Sequence, residues 1–144
     1  MLNASKREFT SAFKKHIHVF KSVQPPHINH TYKLILFYAI ECGLKSIVLD
    51  RINGNGIEDL LSHQPLGLGR GTDGHNIKRL LQFLNYPCRL PHMICMSNIN
   101  RNKNVPPHEY NQVWRYGIRV DPAIEEQVVT ELKDIANWIE ERLA

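Results

Sequence analysis

The sequence has few cysteines and no long apolar run, and each shortage excludes a class of protein. Three cysteines, Cys42, Cys88 and Cys95, are a small and odd number, so we expect free thiols and no disulfide framework. The longest apolar run, Leu34 to Ile40, is far shorter than the roughly 20 residues that cross a bilayer. The first residues also lack the apolar stretch of a secretory signal. We therefore expect a cytoplasmic protein that spans no membrane.

Composition is ordinary, and the charge is mildly and unevenly basic. Hydrophobic residues make up 42% and charged residues 22% of the 144 residues, which favours one globular domain over a disordered chain. The net charge is +4, with positive residues concentrated in 6–21 and 101–119, whereas the segment from Asp121 is acidic. This asymmetry permits contact with a polyanion such as nucleic acid, because phosphate binding is largely electrostatic.

A first amphipathic helix is predicted near the start of the chain. Ser5 and Glu8 have the spacing of a capping box, in which each side chain satisfies a backbone amide of the first turn. An apolar stripe with helical spacing follows until Pro25 ends the helix. The stripe consists of Phe9, Phe13, His16 or Ile17, Phe20 and Val23.

The second predicted helix runs from about Tyr32 to Leu49, with Asn29 or Thr31 as its cap, and is apolar on most sides. Such a helix is typical of the centre of a bundle. Glu41 and Lys45 lie four residues apart on one of its faces, in the order that favours an ion pair. Either the two residues form an ordinary exposed ion pair on the surface, or Glu41 points into a polar site.

Glycines dominate the connection to a third helix. After a short apolar turn, Ile57 to Leu61, the pattern G-x-G-x-x-G occurs at Gly69, Gly71 and Gly74. We reject dinucleotide binding, since no strand is predicted before these glycines and no acidic residue lies about 20 positions beyond them. We predict a flexible loop, with Thr72 or Asp73 capping a short core helix over His75 to Leu84.

The connection from Asn85 to Val120 has no regular pattern except a short helix around His108 to Tyr116. Long connections in compact domains tend to carry function, so we look there for chemistry. The last helix is the clearest, because Asp121 can cap it and Pro122 suits its first position. The sequence therefore predicts an all-α fold over 1–144, a single-domain helical bundle of four to five helices with a long irregular loop before the last helix.

Two short segments carry a family resemblance. Tyr38-Ala-Ile-Glu-Cys-Gly-Leu-Lys45 lies on the second helix, and Gly74-His-Asn-Ile-Lys-Arg-Leu-Leu81 follows the glycine loop. In order and spacing, residues 30–143 resemble the HEPN superfamily (higher eukaryotes and prokaryotes nucleotide-binding domains). The resemblance implies a helical bundle that often forms a homodimer. It also implies kinship with many metal-independent ribonucleases of toxin–antitoxin, antiphage and RNA-processing systems.

The catalytic mark of that family is an arginine followed, after four to six residues, by a histidine. Arg101-Asn-Lys-Asn-Val-Pro-Pro-His108 fits this pattern, with Asn102 as the polar residue after the arginine. Tyr110 resembles the tyrosine that one toxin branch places after the histidine. The resemblance implies that Arg101 binds the scissile phosphate while His108 moves the proton of a ribose 2′-hydroxyl, with no metal or other cofactor.

The family arrangement implies a composite cleft in a homodimer. Arg101 and His108 of both protomers would meet there, with Glu41 and Lys45 as supporting residues. The sequence departs from the family pattern at Pro106-Pro107, which lies inside the motif. Because proline cannot continue a helix, Arg101 and His108 cannot share one regular helical face.

A second match lies just before the last helix. Tyr110-Asn-Gln-Val-Trp-Arg-Tyr-Gly117 resembles the Arg-Tyr turn of HEPN-like domains that lack the catalytic pair. On this interpretation Arg115 and Tyr116 either pack the loop on the bundle or form, together with Arg119 and Lys103, a stacking and phosphate-binding patch for RNA. Trp114 either joins that patch or fills the core.

A metal site is a weaker hypothesis. Cys88, His92 and Cys95 could supply three zinc ligands, with His63 or His108 as a fourth, but the spacing matches no standard zinc motif. We therefore predict no metal and no cofactor.

Three functions remain open from the sequence. The leading hypothesis is a HEPN-like protein that binds or cleaves RNA in a toxin–antitoxin or antiphage setting. The others are a non-catalytic HEPN-like module that binds a protein partner or a nucleotide, and a small helical interaction protein without chemistry. The expected partners are a second copy of the chain, RNA, and a protein such as an antitoxin.

Overall fold

The computed structural model describes residues 3–68, 76–87 and 89–144 and confirms the all-α class. The described residues form six α-helices and one small two-stranded antiparallel sheet, so the predicted count of four to five helices was too low. None of the described helices is long and apolar enough to cross a membrane. The elements are α1 (Lys6–Lys21), α2 (His30–Arg51), α3 (Ile57–Ser62), α4 (Ile77–Phe83), β1 (Met93–Ile94), β2 (Asn104–Val105), α5 (Tyr110–Tyr116) and α6 (Pro122–Leu143).

Helix α2 lies at the centre of the bundle, as its apolar circumference predicts. It packs against α1, α3, α4, α5 and α6. The helix is longer than predicted at both ends, since it begins at His30 and ends at Arg51. Asn29 is the cap, because its side chain accepts a hydrogen bond from the Tyr32 amide at 3.2 Å, whereas Thr31 lies inside the helix.

Helix α1 packs along α2, and its start is the predicted capping box. The Glu8 amide donates to Ser5 Oγ at 3.1 Å, and the Ser5 amide donates to Glu8 Oε1 at 3.0 Å. Ile17 rather than His16 continues the buried stripe, and the helix ends at Lys21. The apolar stripe therefore fixes which face of α1 contacts the core.

The connection between α2 and α4 differs from the prediction in two ways. Ile57–Ser62 forms helix α3 instead of a turn, and the Asp59 carboxylate accepts from the Asn55 amide at 2.6 Å before its first turn. The cap of α4 is Asn76, whose side chain accepts from the Arg79 amide at 3.2 Å. The predicted caps Thr72 and Asp73 lie outside the described residues.

Residues 89–120 are more regular than the predicted irregular loop. Strand β1 pairs with β2, with Met93 opposite Val105, and Cys95 bridges to Val120 in the opposite direction. We call this arrangement of β1, β2 and the bridge to Val120 the ribbon. Helix α5 lies between β2 and Val120, close to the predicted position. Strands of two residues have no periodicity to detect, because one alternation cannot be distinguished from chance.

Helix α6 closes the bundle against α2. Its start is as predicted, with Pro122 in the first position and the Asp121 side chain accepting from the Ala123 amide at 2.9 Å. The two long helices approach closely at Gly43, where an added Cβ would lie 2.6 Å from Ile139 Cγ2. The absence of a side chain at Gly43 therefore sets the spacing between α2 and α6.

Candidate nucleic-acid interface

An aromatic cluster positions helix α5 on α2. The rings of Phe37, Tyr110 and Trp114 lie edge-on or tilted to one another, with centroid distances of 5.9 to 6.4 Å. Trp114 is only 2% exposed and Tyr110 is fully buried, with its hydroxyl donating to the carbonyl of Pro91. Trp114 is thus a core side chain, and Tyr110 contributes to any site through packing rather than by direct contact.

The last turn of α5 presents an arginine held in place by α2. Arg115 Nη2 donates to the Tyr38 hydroxyl at 2.5 Å, and this hydrogen bond raises the pKa of Arg115 above its ordinary value. The guanidinium also lies 6.0 Å from the centre of the Tyr116 ring. Because Tyr116 is 66% exposed, one face of an aromatic ring is open to solvent beside a fixed positive charge.

Two further basic residues lie on either side of the middle segment of the ribbon. The Cys95 amide donates to the Lys103 carbonyl at 2.9 Å, and the Met96 amide donates to the Arg119 carbonyl at 2.8 Å. The segment Cys95 to Met96 is thus flanked by Lys103 and Arg119, and the residues at 103 and 119 are exposed. We call Lys103, Arg115, Tyr116 and Arg119 the basic strip.

The predicted catalytic residues lie on different elements. Arg101 and Asn102 lie in the turn between β1 and β2, where Asn102 has a positive φ of 65°, whereas His108 lies in a single 3₁₀ turn before α5. Within the described ranges, neither the Arg101 guanidinium nor the His108 imidazole makes a hydrogen bond or an ion pair. Both side chains belong to exposed residues, and no hydrogen bond joins them in the described part of the chain.

Glu41 and Lys45 form an ion pair inside the bundle rather than on its surface. Their exposed fractions are 4% and 7%, and Lys45 Nζ lies 3.7 Å from Glu41 Oε2. Lys45 Nζ also lies 5.5 Å from the centre of the Phe9 ring, so the lysine faces α1. Cys42 follows Glu41 on the same helix, and burial raises the pKa of its thiol to about 11. The pair therefore lies at the contact between α1 and α2, and its desolvated charges are matched to each other within the fold.

Cys88, His92 and Cys95 are the residues for which a zinc site was weighed. No group of three or more His, Cys, Asp or Glu side chains is assembled in the described part of the chain. Cys95 is buried with a free thiol, His92 is exposed, and Cys88 lies outside the described residues.

Two residues near the basic strip were not singled out from the sequence. Tyr38 opens the segment that resembles the HEPN superfamily, but its contact with Arg115 was not predicted, because the two residues lie 77 positions apart. His30 begins α2 and lines a groove beside Arg119. No local pattern connects either residue to the 101–119 segment.

The fold and this surface define an all-α protein with a basic, partly aromatic strip built on α5 and the ribbon. No protein-family model matches the chain, and neither a curated protein nor a solved structure does.

Proposed function

We propose that this chain is a HEPN-like helical protein that binds single-stranded RNA through the basic strip. The observation that carries the proposal is the hydrogen bond between Arg115 and Tyr38 beside the exposed ring of Tyr116. An arginine already held in place loses less freedom when it binds a phosphate, and its planar fork suits phosphate oxygens. An exposed aromatic ring can stack on an unpaired base of any sequence.

The preference for RNA over DNA, and for a homodimer, rests on the resemblance of 38–45 and 74–81 to the HEPN superfamily. The preference for a single strand has a physical basis, since stacking on Tyr116 requires a base that is free of its partner. Arg119 and Lys103 extend positive charge across the ribbon, which matches a backbone that carries one charge per nucleotide.

Binding can be measured by fluorescence anisotropy with a labelled RNA that has no stable base pairs. We expect affinity to fall as salt rises, because bound cations are released from the phosphates. Arg115→Ala should weaken binding to all sequences alike and lower the salt slope by about one. Tyr116→Ala should cost about 1–3 kcal/mol, while Tyr116→Phe should keep most of the affinity.

The matched control is Arg7→Ala, which removes an exposed arginine from α1. If Arg7→Ala and Arg115→Ala lower the RNA affinity equally, the loss reflects only the change in net charge. The basic strip would then not be the binding site. Binding that does not change with salt would argue for a protein partner instead.

Cleavage is tested in the same preparation. RNA cut in EDTA to a 2′,3′-cyclic phosphate, with activity lost in a folded His108→Ala variant, would extend the proposal from binding to catalysis. Arg101 and His108 of two protomers would then meet across a homodimer, as the family arrangement implies. Light scattering gives the mass of the species that binds or cuts.

A further inference from the structure

A groove of about 580 Å³ opens next to the basic strip. It lies where the start of α2, the ribbon and the start of α6 meet, and this size is within the range of small-molecule sites in proteins. Met96, Val120 and Pro122 give it apolar walls, and His30, Arg119 and Glu125 give it polar ends. Gly117, the residue after Tyr116 in the chain, also lines it.

The charges at the groove favour an anionic ligand. Glu125 is already engaged, because Oε1 lies 3.2 Å from Lys33 Nζ and Oε2 accepts a hydrogen bond from Trp114 Nε1 at 2.9 Å. In the described part of the chain, the Arg119 guanidinium makes no ion pair. Arg119 at the mouth of the groove is therefore available to bind a phosphate, since the negative charge of Glu125 is already matched by Lys33 and Trp114.

His30 lines one polar end of the groove. Its Nδ1 is buried and has no hydrogen-bond partner among the described residues. A flat heterocycle with donors and acceptors on its edge and apolar faces fits a slot with this mixture of walls.

We propose that this groove takes one unpaired base of a bound RNA, with the adjoining phosphate at Arg119. The proposal rests on the proposed RNA binding and deepens it, since it assigns a second base-binding position beside the stacking position at Tyr116. The base would lie between Met96 and the segment Val120 to Pro122, with its edge towards His30.

The test compares an unstructured RNA with the same RNA carrying abasic residues, which keep the phosphates and lack the bases. We expect wild-type protein to prefer the intact RNA by at least about fivefold, as base contacts of this kind contribute. Tyr116→Ala should keep part of that preference. Tyr116→Ala combined with Met96→Gln should lose it, because glutamine keeps the length of Met96 and places a polar group in the apolar wall.

His30→Phe is the second groove variant, since it keeps a ring and removes the nitrogens. Ile99→Gln is the control, because Ile99 is 90% exposed on the ribbon turn and does not line the groove. Equal affinity of the wild type for intact and abasic RNA would overturn the groove while leaving phosphate-driven RNA binding in place. A preference abolished by Tyr116→Ala alone would also overturn it. Absence of binding to either RNA would instead refute the proposed function, and the groove with it.

Discussion

The indole Nε1 of Trp114 donates a hydrogen bond to Glu125 Oε2 at 2.9 Å. The other oxygen of the same carboxylate lies 3.2 Å from Lys33 Nζ, and both charged side chains are mostly buried. One carboxylate therefore joins α5, α2 and α6 next to the groove. Trp114 belongs to the aromatic cluster, so this contact also fixes the helix that carries Arg115.

Glu125→Ala should lower the free energy of unfolding by about 1–3 kcal/mol, because it leaves the Trp114 indole without an acceptor. Glu125→Gln should cost less, since its amide oxygen can still accept from the indole while the ion pair with Lys33 is lost. Urea unfolding followed by tryptophan fluorescence measures both variants. Equal destabilisation by the two variants would mean that the ion pair, and not the hydrogen bond, is the stabilising contact.

Gly43→Ala should destabilise the protein despite the higher helix propensity of alanine. The new Cβ would lie 2.6 Å from Ile139 Cγ2 and 2.8 Å from Phe13 Cδ1, so α2 would be pushed away from both α6 and α1. Overpacking of this kind costs typically about 1–3 kcal/mol, which exceeds a propensity gain of about 1 kcal/mol. Thermal unfolding monitored by circular dichroism measures the effect. A melting temperature at or above that of the wild type would contradict the close packing of α2 on α6 and α1 at Gly43.

Cys42 should react slowly with iodoacetamide at pH 8. Burial raises the pKa of its thiol to about 11, so only about one molecule in a thousand carries the reactive thiolate at that pH. Ser11→Cys on the exposed face of α1 provides an internal reference in the same molecule. Peptide mapping by mass spectrometry reads the two sites separately. Alkylation of Cys42 as fast as that of the introduced cysteine would show that the thiol is not shielded as described.

Tyr38→Phe should weaken RNA binding less than Arg115→Ala but measurably. The phenylalanine keeps the ring and removes the hydroxyl that holds the guanidinium, so Arg115 would have to be ordered by the RNA itself. Tyr32→Phe, at a partly buried tyrosine earlier on α2, is the matched control and should bind as the wild type does. If Tyr38→Phe also binds RNA like the wild type, the hydrogen bond between Tyr38 and Arg115 has no role in RNA binding.

Features of the fold with local causes were predictable from the sequence. The start of α6 follows from Asp121 and Pro122, and the start of α1 from Ser5 and Glu8, because each involves atoms only a few residues apart. The central position of α2 follows from its apolar circumference. The ion pair of Glu41 and Lys45 was predicted from spacing, but its burial depends on Phe9 of another helix.

Features that depend on distant segments could not be predicted in this way. The ribbon is held by backbone hydrogen bonds, which leave no side-chain pattern in strands of two residues. The groove combines His30, Met96 and Glu125 from three separate regions, and the anchor of Arg115 lies on a helix much earlier in the chain. Single-sequence patterns identified the basic residues at 101–119 but not the surface that arranges them.

The ribbon is also linked to the start of α6, the last helix of the chain. The Asp121 amide donates to the Ile94 carbonyl at 2.9 Å while the side chain of Asp121 caps α6. Opening of the ribbon therefore releases the backbone of the residue that caps α6. The amides of Met96, Asp121 and the first turn of α6 should then exchange with deuterium as one cooperative unit. A ligand that holds the ribbon closed would therefore also slow exchange in the first turn of α6.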